Sequence, residues 1–305
     1  NQPPLSGNLT TMLQVVSLPD YTEPAQRLAL ALGCDYQPVQ VHRFPDGESL
    51  VNVPSEPAPH VVICQSLDRP NNKLIELLLA IHTFRQAGVK RISLIAPYLC
   101  YMRQDKAFHP GQAISQQIVG RFLAELIDDL ITVDAHLHRI KSLQQAVPLN
   151  NAINLSAASA LGTFLVQQKI SPLLLGPDSE SEQWVQQVAQ VGNFDWAVAS
   201  KHRHSDIEVT ITLPAISVHN RVVVIVDDVV SSGHTLAEAA LQLQSAGAAQ
   251  VCCLVTHALF ADGAIDLLQQ AGIQAIWSSD SIPHKTNVIK LADMLAAGLQ
   301  DLLET

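Results

Sequence analysis

Two adjacent carboxylates, Asp227 and Asp228, close the apolar β-branched run Val222–Val226. Ser231, Ser232, Gly233, His234 and Thr235 follow, and then a helix-like stretch from Leu236. The run reads as a buried strand. Acids at its end can accept hydrogen bonds from vicinal sugar hydroxyls. The loop N–H groups and the positive end of the next helix can hold a phosphate dianion. Together they describe a cradle for a sugar phosphate; the plainer alternative is a capped strand-to-helix loop.

Further segments offer complementary chemistry. Phe44-Pro-Asp46-Gly-Glu48 carries turn residues. Beyond a hairpin turn, its ring and two acids could stack a base and accept from its amino group. Arg103, Gln104, Asp105 and Lys106 follow the apolar run Arg91–Ala96, at the strand end where open α/β sheets bind ligands; otherwise they are a solvated loop. Asp134 and His136 follow Leu130–Val133. On an extended chain they share one face and could meet a metal ion or a phosphate, although a lone His is often structural. Neither a Cys nor a third ligand lies nearby, so the spacing does not suggest zinc. Asp178 follows Leu173–Leu175 through Gly-Pro. Lys201-His-Arg203-His is the densest cationic spot in an acidic chain, either a basic hairpin tip or a mobile loop closing over phosphates.

The elements that would position these groups alternate. Apolar runs such as Leu13–Leu18, Val61–Gln65 and Val251–Thr256 are separated by helical patterns such as Thr22–Leu32, Asn71–Ala87 and Thr235–Ala246. This alternation predicts an α/β fold of right-handed βαβ units with mostly parallel sheets flanked by helices. Strand, helix, Ala-Gly stop and strand occur twice, around Val61–Tyr98 and Val222–His257, which predicts two related domains. The boundary is placed near residue 150, giving domains 12–150 and 151–305 after an extension or expression scar over 1–11.

The chain has 305 residues, 48% hydrophobic and 15% charged, with a formal charge of −10. It is therefore globular, and it lacks the basic surface that nucleic acids require. The five cysteines show no Cys-x-x-Cys spacing; Cys64, Cys252 and Cys253 sit in apolar runs and read as reduced core residues of a cytoplasmic protein. Neither a membrane-length apolar stretch nor a secretory leader is evident, so no membrane partner is expected.

In this order, and with Phe108-His-Pro-Gly-Gln-Ala-Ile-Ser115 and Gly-Pro-Asp178-Ser-Glu-Ser, the segments resemble the ribose-phosphate diphosphokinase family, in its archaeal-type form, from Met12 onward. The resemblance implies two phosphoribosyltransferase-like domains with the active site between them. It implies transfer of the diphosphoryl group of ATP to the anomeric hydroxyl of ribose 5-phosphate, with Mg²⁺ as cofactor, in a homo-oligomer with Phe44 near an interface. It assigns Phe44, Asp46, Glu48, Arg103, Gln104, Lys106 and His136 to ATP. It assigns His136 and Asp178 to the metal, Lys201 and Arg203 to the transferring group, and Asp227, Asp228 and Ser231 through Thr235 to ribose 5-phosphate. His234 departs from the family's usual Gly, Ser232 from its Thr, and Phe108 from an acid. A phosphoribosyltransferase and a non-catalytic regulatory paralog remain the alternatives.

Overall fold

The computed structural model of the chain describes residues 12–137, 140–203 and 209–304, with the backbone alone at 201–203, 209 and 210. The extension expected over 1–11 lies outside the described residues. The chain forms two compact units. One runs up to Leu155 and resumes at Leu291; the other is Ser156–Lys290.

In the first unit, β1 (Leu13–Ser17) and β2 (Asp35–Pro38) are followed by an antiparallel hairpin, β3 (Gln40–Arg43) and β4 (Ser49–Asn52). Then come β5 (His60–Cys64), β6 (Arg91–Ala96), β7 (Asp129–Val133) and β8 (Asn151–Leu155). The sheet order is β2-β1-β5-β6-β7-β8, every pair parallel. Helices α1 (Thr22–Leu32), α2 (Pro70–Gln86), α3 (Ser115–Leu126) and α4 (Leu143–Ala146) link the strands. Leu74, Leu77, Ala80, Ile81 and Phe84 recur at helical spacing on α2 and bury one stripe against Ile63, Ile92 and Leu94 of the sheet. Each large side chain of this stripe contributes about 1.5–3 kcal/mol when fully buried.

The second unit repeats that plan. Strands β9 (Leu173–Gly176) and β10 (Asp195–Val198) precede a hairpin, β11 (Ser200–Arg203) and β12 (Val209–Thr212). Next are β13 (Val222–Val229), β14 (Gln250–His257), β15 (Ala275–Ser279) and β16 (Asn287–Ile289), in the order β10-β9-β13-β14-β15-β16, again all parallel. Helices α5 (Ala158–Gln167), α6 (Glu182–Gly192), α7 (His234–Ser245) and α8 (Ala264–Gln270) complete it. The Ala-Gly stops after α2 and α7 both end in left-handed glycines, Gly88 at φ +90° and Gly247 at φ +85°. The expected α/β repeat is therefore present, with mostly parallel sheets flanked by helices.

Two expectations are corrected. The segment around residue 150 does not separate domains: Asn151–Leu155 is the sixth strand of the first sheet, paired with β7. The last helix, α9 (Ala292–Glu304), falls in the 151–305 span given to the second domain, although the sequence leaves open whether it packs back on the first; it belongs to the first unit, where it packs on α1 and β8. It buries Leu295, Leu299 and Leu302 there. The reading of cysteines as core residues holds for Cys64, Cys252 and Cys253, all buried. Cys100 is buried as well, and that burial pushes its thiol up to about 12. No helix among the described residues is long and apolar enough to cross a membrane.

A buried polar ladder ties together the strand starts of the first sheet. Arg91 holds Asp129 with two bonds of 2.8 Å, Ser93 donates to Asp129 at 2.6 Å, and Asn151 donates at 2.9 Å. His60 Nε2 lies 2.8 Å from Ser93 Oγ. Burial, and then the charge of Arg91, lower His60 from 6.5 to about 4. The unfolded chain therefore binds more protons than the folded one between those two values, and stability falls as pH drops through that window. Burial would raise Asp129, but the bonds from Arg91, Ser93 and Asn151 outweigh it and hold the carboxyl below its ordinary value. Its contribution is lost only at still lower pH. The thermal midpoint is expected to fall as pH goes from 7 to 5, and His60→Gln to flatten that dependence; thermal scans across this range check both.

Candidate active site

In an open parallel sheet, the crevice lies where neighbouring strands send their connections in opposite directions. In the second unit that point is between β9 and β13. Their paired residues Leu175 and Ile225 lead to Asp178 on one strand and to Asp227 and Asp228 on the other. The strand continues through both acids to Val229 instead of ending at Val226, because Asp227 pairs with Val255 and Val229 with His257. Asp227 Oδ1 accepts from the Asp228 N–H at 3.0 Å, and Asp228 Oδ1 from the Val229 N–H at 2.7 Å. Asp228 is buried and Asp227 half-buried. Burial, then the charges of Asp228 and Asp178, raise the Asp227 carboxyl well above its ordinary value. Asp178 also caps the short 3₁₀ turn Ser179–Ser181, its side chain accepting from the Glu180 N–H at 3.1 Å.

The loop after the acids is pinned from outside. Val230 N–H donates to the His257 carbonyl at 3.2 Å, and Ala261 N–H to the Ser231 carbonyl at 3.0 Å. Gly233 is the N-cap of α7 at φ +81°, with no side-chain cap on the helix. A Cβ there would sit 3.4 Å from Leu268 and strain the backbone. His234 is the first helical residue. The left-handed step thus falls on Gly233, while His234 takes a helical conformation. Its Nδ1 is buried and meets no hydrogen-bond partner among the described residues. Ser231, Ser232, Gly233, His234 and Thr235 therefore do form one turn at a helix N-terminus, beside the acid pair.

Lys201 and Arg203 stand on β11, in register with Ile211 and Val209, and not in the loop between strands. The hairpin reading of this segment holds for its backbone; the side chains of both residues lie outside the described residues, as does the tip 204–208.

In the first unit, Phe44, Asp46 and Glu48 occupy the exposed turn of the β3–β4 hairpin. Phe44 N–H donates to Glu48 O at 2.8 Å, Glu48 N–H donates to Asp46 Oδ1 at 3.1 Å, and the Phe44 ring meets His42 edge-on at 4.7 Å. The residue that fixes this hairpin had no signal in the linear pattern. Glu76, fully buried on α2, accepts from Arg43 at 2.7 and 3.0 Å and from Ser49 at 3.1 Å, the two residues flanking the turn.

Arg103 and Lys106 are exposed and Gln104 half-buried in the loop after β6. Gln104 Nε2 donates to Lys106 O at 3.2 Å, and the Lys106 ammonium sits 4.6 Å from the centre of the Phe108 ring. Asp134 and His136 do not share a face of an extended chain as the alternation predicted. The strand ends at Val133 and Asp134 has φ +41°, so the chain is not extended there, and Asp134 is buried while His136 is half-buried. His136 belongs to the first unit and Asp178 to the second.

Among the described residues, no group of three His, Cys, Asp or Glu side chains forms a metal cage. Mg²⁺ needs none when substrate phosphates supply part of its coordination. The mutual repulsion of Asp227, Asp228 and Asp178 marks the second unit as a place where added positive charge is favoured.

Comparison with known proteins agrees with this layout. Residues 13–126 match the N-terminal domain of ribose phosphate pyrophosphokinase, and residues 202–303 match the phosphoribosyl synthetase-associated domain. The ribose-phosphate pyrophosphokinase of Methanopyrus kandleri is 34% identical over 91% of this chain and 95% of its own. Ribose-phosphate pyrophosphokinase 2 of Archaeoglobus fulgidus is 31% identical over 94% of this chain and 100% of its own. The crystal structure of phosphoribosylpyrophosphate synthetase from Mycobacterium smegmatis superposes with a TM-score of 0.80 at 22% identity, covering 96% of this chain and 99% of that one, so the fold is shared. With relatives matched along almost their full length and both halves recognised, the chain belongs to the ribose-phosphate pyrophosphokinase family.

Proposed function

We propose that the chain transfers the diphosphoryl group of ATP to the anomeric hydroxyl of ribose 5-phosphate, forming phosphoribosyl pyrophosphate and releasing AMP. The observation that carries this reading is the acid pair Asp227–Asp228 at the switch point of the second sheet, followed at once by an uncapped helix N-terminus. Asp227 and Asp228 accept from the ribose hydroxyls. The loop N–H groups, the Ser231, Ser232 and Thr235 hydroxyls and the α7 dipole hold the 5-phosphate. His234, whose Nδ1 meets no hydrogen-bond partner among the described residues, adds a polar group to the same turn.

On the nucleotide side, the reading gives adenine to Phe44, Asp46 and Glu48, and the phosphates to Arg103, Gln104 and Lys106. In the second unit Asp178 would hold Mg²⁺, which when bound neutralises phosphate charge and polarises the transferred group, and in the first unit the reading gives His136 to the nucleotide. Lys201 and Arg203 supply positive charge to the group in flight and help exclude water as a competing nucleophile. A homo-oligomer is part of the proposal, with the Phe44 hairpin contributing at a subunit contact.

Incubation with Mg–ATP and ribose 5-phosphate is expected to give AMP and phosphoribosyl pyrophosphate in equal amounts. Folded protein that yields neither, with several divalent ions tried, would sink the reading. Lys201→Ala is expected to lower kcat by roughly 10²–10³-fold with little change in ATP binding; equal losses in both would contradict a role confined to the transition state. Gly233→Ala forces an L-residue into the left-handed region at a cost of about 1–2 kcal/mol. It is expected to raise KM for ribose 5-phosphate while leaving KM for ATP near its original value, as steady-state kinetics with each substrate varied will report.

A further inference from the structure

The loop after β6 is held at two points by one residue. Gln116, in the first turn of α3, is 2% exposed. Its side-chain Nε2 donates to the Met102 carbonyl at 3.0 Å, and its backbone N–H donates to the Gln104 carbonyl at 3.1 Å. These two carbonyls bracket Arg103. On the near side, Tyr101 sits at φ +62°, a left-handed conformation that is costly for an aromatic residue, and its hydroxyl donates to Asn71 Oδ1 at the start of α2. Gln104 N–H closes the turn onto Tyr101 O at 3.4 Å. Met102 is buried, so the backbone on one side of Arg103 is anchored in the core while Arg103 itself is exposed.

We infer that Gln116 is a positioning residue for the nucleotide, setting the direction in which Arg103 leaves the loop. The inference rests on the reading that Arg103 and Gln104 contact ATP. The physical basis is directional. A turn containing a strained residue relaxes unless its surroundings over-determine it. The Met102 carbonyl has a buried donor in Gln116, and removing that donor leaves a buried acceptor unsatisfied and the turn free to rotate. Arg103 recognises phosphate or base by a planar fork of donors, so a small change in its exit direction removes more than it would for a point charge. Gln116 touches neither substrate in this scheme; it acts only through the backbone on either side of Arg103.

The test is a double-mutant cycle in the full-length protein. Gln116→Met keeps the length and volume of the side chain and removes the amide donor. It leaves the backbone bond to Gln104 in place. Gln116→Ala, favourable in a helix, serves as the second variant should the first not fold. Each is measured for KM toward ATP, KM toward ribose 5-phosphate, kcat and thermal midpoint, alone and combined with Arg103→Ala. The expected result is a rise of about tenfold in KM for ATP, with KM for ribose 5-phosphate unchanged within about twofold, and no further rise when Arg103 is already alanine. An unchanged KM for ATP in an active enzyme overturns the inference alone. So does an equal rise in both KM values, or a rise of the same size in the Arg103→Ala background, since each describes a general loss of structure. Wild-type protein that makes neither AMP nor phosphoribosyl pyrophosphate overturns the functional reading and this inference with it.

Discussion

In each sheet all six strands run in the same direction, so every carboxyl end emerges along one edge. This constraint places the candidate chemistry. Residues that follow strands are delivered to that edge whatever their separation in sequence, and they converge where the strand order reverses. In the second sheet, the reversal at β9 and β13 brings acids from two distant segments close enough for their charges to interact. The corresponding reversal in the first sheet, at β1 and β5, has a different occupant. Buried Lys73 binds Asp20 at 2.7 Å and Asp68 at 2.8 Å, joining the loops after both strands. One crevice gathers acids that repel one another and so favour a cation or hydroxyl donors; the other already holds a lysine between its two acids.

The same topology accounts for the two hairpins. In both units the chain leaves the edge strand and must return beside the first strand, and in both it forms an antiparallel pair on the way. Phe44 lies at the turn of one hairpin and Lys201 and Arg203 on an arm of the other. Two segments that look unrelated in sequence are thus equivalent positions of a repeated plan.

Much of this was legible in the sequence because strand ends are marked by a change from apolar to polar residues. Arg91–Ala96 matches its strand end to end, whereas the strand that starts at Val222 runs on through Asp227 and Asp228 to Val229. Polar elements were hidden. Asp35–Pro38 is an exposed edge strand with no apolar alternation, and Asn151–Leu155 carries turn-like Asn residues that sheet pairing overrides. Side chains that act on distant backbone had no signal either. Gln116 and Glu76 read as ordinary helix residues, and only tertiary structure brings Met102, Arg43 and Ser49 to them. The left-handed turn at Asp134 was invisible for the same reason. In the loop before α7, by contrast, the left-handed step falls on Gly233 and not on His234, which the linear pattern does not distinguish.

The placement of α9 bears on the order in which the molecule can be completed. A chain emerging from the ribosome presents the six strands of the first sheet early, but the helix that covers α1 and β8 arrives only after the second unit. Until then the apolar surface awaiting Leu295, Leu299 and Leu302 is exposed, while the intervening segment can collapse on itself. Because its two pieces lie so far apart in sequence, the final packing of the first unit is coupled to synthesis of the second. Loss of the last turn or two of α9 would therefore damage the half that is made first.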